Sequence, residues 1–352
     1  MGRPWSWIVP TLMLASGCDM VLGLNAFTST PRHRKPISIT QQLAVPLTDF
    51  SVSVLLADDP DLAALAGTGT DLAFTDADGV ALDCEIVNYS AGNLEAWVRV
   101  PAIPPGGVTI EMVYGAGAGS CTGSATWRPF IGVWHEPDAS GVFHDRTLHG
   151  HHTSPSTMAM APTVVAGIVG NAGSFDGIDD ATCEPVDADQ SLELGTSSFS
   201  YSIWVNIEHG ASSEVVLRKG GEQATTPGFD FELGSGLWTA RVADGTTVKA
   251  NDLVSQVLGQ WVQLVAVVDR DKPAFTTYAN GVVRDTQTLA SFGSVSGSAQ
   301  FCLGKLPSAQ FAGTIDEPRI YSTALTPDWI AAEYANLTAR STFMSLGSDE
   351  AY

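Results

Sequence analysis

Short segments of alternating apolar and polar residues, punctuated by Asp-Gly and Asn-Gly pairs, constrain this chain more than any other feature. Phe199, Tyr201, Ile203, Val205 and Ile207 alternate with Ser200, Ser202, Trp204 and Asn206. That is the two-residue period of a strand with one buried face. Asp78-Gly79, Asp244-Gly245 and Asn280-Gly281 mark hairpins, because the tight turn needs positive φ at both central residues. The run Trp261 to Val268 is apolar on both faces, as in a central strand covered on both sides. Helix signals are few: Asp59-Pro60 before Leu62 and Leu65, and Thr326-Pro327-Asp328 before Trp329 to Asn336, each with Pro in the first turn. Many short strands with few helices define an all-β chain built of sandwiches or jelly rolls.

At 352 residues the chain exceeds what one core usually spans, and 44% hydrophobic residues suffice for packed cores. The expected division is a small β-sandwich-like domain at 35–120 and a larger sandwich at 125–345, each folding on its own. The Gly/Ser/Ala-rich stretch Gly115 to Ala125 reads as the loop between them. With 38 acidic against 17 basic residues the formal charge is -21, so nucleic acid is not an expected partner and anionic surfaces repel the body of the protein.

The N-terminus reads as an export signal: Arg3, an apolar run from Trp5 to Leu14, then small residues ending at Cys18. A run of about ten residues is too short for a spanning helix, which needs roughly twenty. Leu14-Ala15-Ser16-Gly17-Cys18 resembles the bacterial lipobox at the end of a signal peptide over 1–18, which implies cleavage before Cys18, lipidation of Cys18 as the mature N-terminus and anchoring in the cell envelope, outer membrane or periplasm-facing, with simple secretion as the alternative. Each buried methylene of an anchor contributes about 0.8 kcal/mol. Residues 19–34 read as a tether spanning on the order of 20 Å.

Beyond Cys18 four cysteines remain, Cys84, Cys121, Cys183 and Cys302. The economical pairing is Cys84 with Cys121 and Cys183 with Cys302, one staple per domain, although four cysteines allow three connectivities and free buried thiols are the alternative. No CxxC spacing favours metal ligation.

Gly132-Val-Trp-His135, Asp145-Arg-Thr-Leu-His-Gly150, Gly170 to Asp180, Phe199 to Asn206, Gln260-Trp-Val262, Tyr278-Ala-Asn-Gly281 and Phe311 to Tyr321 occur in an order that resembles a laminin-G-like domain of the concanavalin A-like lectin/glucanase superfamily. The resemblance implies a jelly-roll sandwich of two antiparallel sheets. The earlier region, with Leu47-Thr-Asp-Phe50, Asp71 to Gly79, Ala96-Trp-Val98 and Val113-Tyr-Gly115, is similar to a bacterial domain of unknown function that precedes laminin-G-like domains in envelope proteins.

Glycosidases on this fold carry alternating carboxylates on one strand, and no ExDxE run is present. Asp230 and Glu232 are the nearest approach and read as a solvated face; Asp316-Glu317 cannot place both carboxylates on one face. His144, His149, His151 and His152 read as a surface loop, although imidazoles suit transition metals. Asp176, Asp179 and Asp180 cluster within a few residues, and the resembled fold brings its first strand near its last, so a structural calcium is expected on Asp176, Asp179 and Asp316. For a ligand surface, Trp204 and Tyr278 offer aromatic faces for sugar rings, with Asp230 and Arg241 adding hydrogen bonds. Trp238 reads as core. The expected function is non-enzymatic binding, with a glycan or an envelope protein as partner, and the membrane reached through the lipid anchor.

Overall fold

The computed structural model describes residues 32–40, 45–64, 71–115, 117–185, 187, 189–209, 213–304 and 310–351. The signal segment, Cys18 and most of the tether lie outside the described residues. His33 and Arg34, placed in the tether by sequence, instead begin the strand His33–Ile39.

Two sheets form the first sandwich. One pairs His33–Ile39 with Val108–Tyr114, and that strand with Leu72–Asp76. The other sets Asn93–Ile103 between Leu47–Leu56 and Cys84–Ser90. Ile37, Phe50, Val52, Phe74, Val98 and Ile110 fill the space between them. The only described helix in this region, Pro60–Ala63, starts where Asp59 accepts from the amides of Asp61 and Leu62. The Asp78-Gly79 turn closes only an isolated Thr75–Ala81 bridge. Past it the chain crosses to the opposite sheet, because the preceding strand pairs with Val108–Tyr114 and the following one with Asn93–Ile103.

The second sandwich is larger. Its seven-stranded sheet runs, in part, through Leu237–Ala243, Gly228–Gly234 and Ser213–Lys219. The nine-stranded sheet has Phe199–Ile207 between Ala312–Tyr321 and Val262–Asp269. Tyr201, Ile203, Val205, Phe229, Phe231, Trp238, Leu264 and Ile315 interdigitate between the sheets, and the Tyr201 hydroxyl donates across to the Arg241 carbonyl at 3.0 Å. Asn280-Gly281 and Asp244-Gly245 turn the two expected hairpins. At the first of these both central residues have positive φ, 53° and 74°, and a Cβ at Gly281 would press on the Tyr334 Cβ at 3.1 Å.

A third layer joins the sandwiches. The helix Pro327–Thr338, capped by Thr326, lies between the outer face of the nine-stranded sheet and the strand Leu47–Leu56. Trp329 meets Phe50 edge-on at 4.9 Å, and the Asn336 side chain bonds the backbone of Ser51 and Ser53. Trp204, Val265 and Tyr321 from the second sandwich belong to the same buried cluster as Phe50 and Trp97 from the first. The chain then returns: Met344–Leu346 and Glu350–Ala351 both pair with His33–Ile39, so strand pairing beyond 344 belongs to the first sandwich. Cys84–Cys121 and Cys183–Cys302 are both bonded.

Candidate functional site

The structure does not gather the four ligand residues expected from sequence into one open site: Trp204 and Tyr278 share a buried cluster on one sheet, and Asp230 and Arg241 pair on the other. Trp204 does stand on the polar face of its strand, but the helix Pro327–Thr338 covers that face, and its ring stacks on Tyr334 at 5.6 Å and 9°. At 3% exposure it has no free face for a sugar. The period-two pattern says which residues share a face and nothing about what lies over it.

Asp230 and Arg241 face each other across neighbouring strands of the seven-stranded sheet. Arg241 donates through Nε and Nη2 to the Asp230 carboxylate, at 2.9 and 2.7 Å, and also pairs with Glu232. The expectation of a solvated face is corrected at Asp230, which has no exposed surface. Burial pushes its carboxyl up to about 7, against the pull of Arg241. With its fork occupied by two carboxylates, Arg241 acts as a clamp within the sheet.

Tyr278, itself 5% exposed, belongs to the same buried cluster as Trp204 but lines an open cleft. It lies beside a cleft of about 740 Å³ on the part of the nine-stranded outer face that the helix leaves uncovered, with Thr196, Ser198, Arg270, Lys272, Thr276 and Thr326 around it. Three elements build the cleft: the approach to Phe199–Ile207, the hairpin joining Val262–Asp269 to Ala274–Ala279, and the turn into the helix. Arg270 is held by donation to the Phe292 and Gly293 carbonyls at 2.9 Å each, and Asp269 caps the amides of Asp271 and Lys272. Burial raises the Tyr278 phenol above its usual value. The cleft thus presents hydroxyls and both signs of charge, beside the buried ring of Tyr278, on a backbone fixed by the sheet.

The expected calcium set does not assemble. Asp176 pairs with Ala312, which leaves Asp316 four residues along the strand, roughly 13 Å away at strand rise. Asp316 instead accepts from the Ile168 and Val169 amides at 2.8 and 3.2 Å. Asp176, Asp179 and Asp180 do lie within 4.8 Å of one another. One Asp176 oxygen caps the amides of Ile178, Asp179 and Asp180, and the Asp180 carboxyl accepts from the Asp176 amide. This is a self-closed turn whose oxygens suit a hard cation only in part.

Sequence reasoning missed a buried charge network at the seam between the sandwiches. Arg319 pairs with Glu317 and with Glu333, and its guanidinium lies over Trp97 at 4.4 Å. Tyr321 donates to Glu333 at 2.5 Å. Glu317 sits at φ 48° beside a register shift in its strand, which turns its carboxylate toward His135. The single early signal was Asp-Glu followed by Arg in an otherwise apolar strand.

The larger sandwich, two antiparallel sheets closed over one core, is a jelly roll. Its residues 180–331 match the family model described as the concanavalin A-like lectin/glucanases superfamily, of the laminin G type. That segment is therefore a concanavalin A-like domain, as the sequence resemblance implied. Among solved structures, the chain is similar to the binding domain of Paraclostridial Mosquitocidal Protein 1, with 13% identity, a TM-score of 0.48, and coverage of 59% of this chain and 52% of that one. It is also similar to the ligand binding domain of botulinum neurotoxin serotype D in complex with N-acetylneuraminic acid, with 12% identity, a TM-score of 0.47, and coverage of 58% and 50%. The chain thus spans about half the length of these domains. No curated protein sequence matches it.

Proposed function

We propose that this protein is a non-catalytic carbohydrate-binding module of a cell envelope, exported and held at a membrane by lipid on Cys18. The observation that carries the reading is the Tyr278 cleft on a lectin-type sandwich. Sugars present many hydroxyls, and a cleft edged by Ser, Thr, Asp, Arg and Lys side chains complements them. The clamp at Arg241 argues against glycoside hydrolysis: the two carboxylates that share a strand face, Asp230 and Glu232, are both bound by one guanidinium, which leaves neither free to serve as nucleophile or acid. Both disulfides fit an oxidising compartment.

A second reading, protein binding, is favoured by the strand Val282–Thr288 at the end of the nine-stranded sheet, where Val282 and Val283 are more than half exposed. A glycan-array screen of the exported protein, with and without calcium, separates the readings. Saturable retention of a glycan class supports the module. Retention of none, with capture of an envelope protein lost on Val283→Lys, supports the second reading.

A further inference from the structure

The histidine-rich loop expected to lie on the surface is in part buried. His151 is 1% exposed, and its Nδ1 lies 2.8 Å from the Glu184 carboxylate, itself buried. This pins the ring with Nε2 toward Ser191 Oγ, at 2.5 Å, and Asp189 Oδ1, at 3.8 Å. His149 stacks on His151 at 5.7 Å and 10°, and its Nδ1 is 2.6 Å from Asp189 Oδ2. One donor atom each from His149, His151 and Asp189 lies within 4.8 Å of the others, and the same holds for His151, Glu184 and Asp187.

Asp187 supplies an independent observation. Both of its carboxylate oxygens are shielded from solvent and have no hydrogen-bond partner. A shielded, unpartnered carboxylate is costly unless a cation accompanies it. Here the Glu184, Asp187 and Asp189 carboxylates gather about two imidazoles. Next to Glu184, Cys183 is bonded to Cys302, which fixes the backbone from which Glu184 reaches His151.

We propose that His149, His151 and Asp189 bind a divalent transition metal of the zinc class, with Glu184 orienting His151 and Asp187 neutralised by the ion. Two imidazoles with carboxylates form a donor set suited to zinc and its neighbours, whereas calcium takes oxygen ligands. Glu184 on Nδ1 is the outer partner that metal-bound histidines ordinarily have, fixing tautomer and direction. His149 and Asp189 are exposed, which gives the ion a route from solvent, and Glu184 and Asp187 border a neighbouring cavity of about 570 Å³.

The test uses the chelator-treated exported protein and zinc chloride alone, followed by calorimetric titration and thermal unfolding, with calcium chloride as comparison. The expected result is one zinc ion per chain and a rise in Tm with zinc that calcium does not produce. His149 and Asp189 are solvent-accessible, so His149→Ala and Asp189→Asn should keep the fold by circular dichroism and weaken zinc binding about tenfold or more. Glu184→Gln should weaken it about 10-fold to 100-fold through His151. Absence of saturable zinc binding, or unchanged affinity in the His149→Ala/Asp189→Asn double variant, overturns the proposal. Tyr278 variants should leave zinc binding unchanged, which keeps this result separate from the glycan reading.

Discussion

His135 Nδ1 lies 2.6 Å from the Glu317 carboxylate in a pocket almost without solvent. Both residues come from the nine-stranded sheet, and the first sandwich closes over them: Trp97 stacks on the imidazole at 5.6 Å, and Glu85 approaches its other nitrogen at 3.6 Å. The pair joins the two sandwiches electrostatically where the Trp329 and Phe50 rings join them by packing.

Burial works to lower the His135 pKa, but Glu317 and then Glu85 outweigh it and push it up to about 10. A base raised above its unfolded value of about 6.5 contributes stability fully present below that pH and lost as pH rises through 10. Burial, then Glu317, likewise raises Glu95 to about 7, so its neutral form favours the folded state at low pH and that contribution is lost between about 4.5 and 7. Urea unfolding should therefore show the wild type losing stability from pH 7 to 10, with a flatter profile in His135→Gln. An equal slope in both would remove His135 from the account.

Replacing Arg241 by Ala should destabilise the protein by about 3–5 kcal/mol, because it leaves Asp230 buried without its partner. Arg241→Ala/Asp230→Asn should recover part of that loss. Chemical denaturation of the two variants measures the difference.

The Cys183–Cys302 bridge closes a separation of 119 residues and Cys84–Cys121 one of 37. On the chain-entropy account the longer loop contributes about 5 kcal/mol and the shorter about 4. Paired Cys→Ala variants should thus differ in unfolding free energy by about 1 kcal/mol, with the 183/302 pair the less stable.

Trp329→Ala removes the ring that meets Phe50, Phe130 and Tyr321. A loss of about 3–5 kcal/mol is expected for a core Trp. If the sandwiches share one core, tryptophan fluorescence and circular dichroism should report a single transition in both wild type and variant. Two separated transitions would mean that the units fold independently.

The legible parts of this fold were the local ones. The alternation of Phe199 to Ile207, the turns at Asn280-Gly281 and Asp244-Gly245 and the Thr326 cap all follow from short-range chemistry, whereas the cysteine pairing, over 37 and 119 residues, rested on the economy of one staple per domain. What covers a strand face is a long-range matter, so Trp204 read as exposed while Tyr334 lies over it. Register is equally non-local, and it set Asp316 away from Asp176. Pairing of Met344–Leu346 with His33–Ile39 spans nearly the whole chain and leaves no periodic trace in either segment. The tight turn after Tyr278 was legible, but its burial and the assembly of the neighbouring cleft from three separate elements were not.

Titrating the glycan retained by the array into wild type and into Tyr278→Leu, Lys272→Ala and Thr276→Val, with Lys249→Ala on the opposite sheet as control, tests the central claim most directly. Binding should weaken about tenfold or more in the cleft variants and stay unchanged in the control, with no release of reducing ends over the titration. Equal affinity in all five proteins, or turnover of the glycan, would contradict the claim.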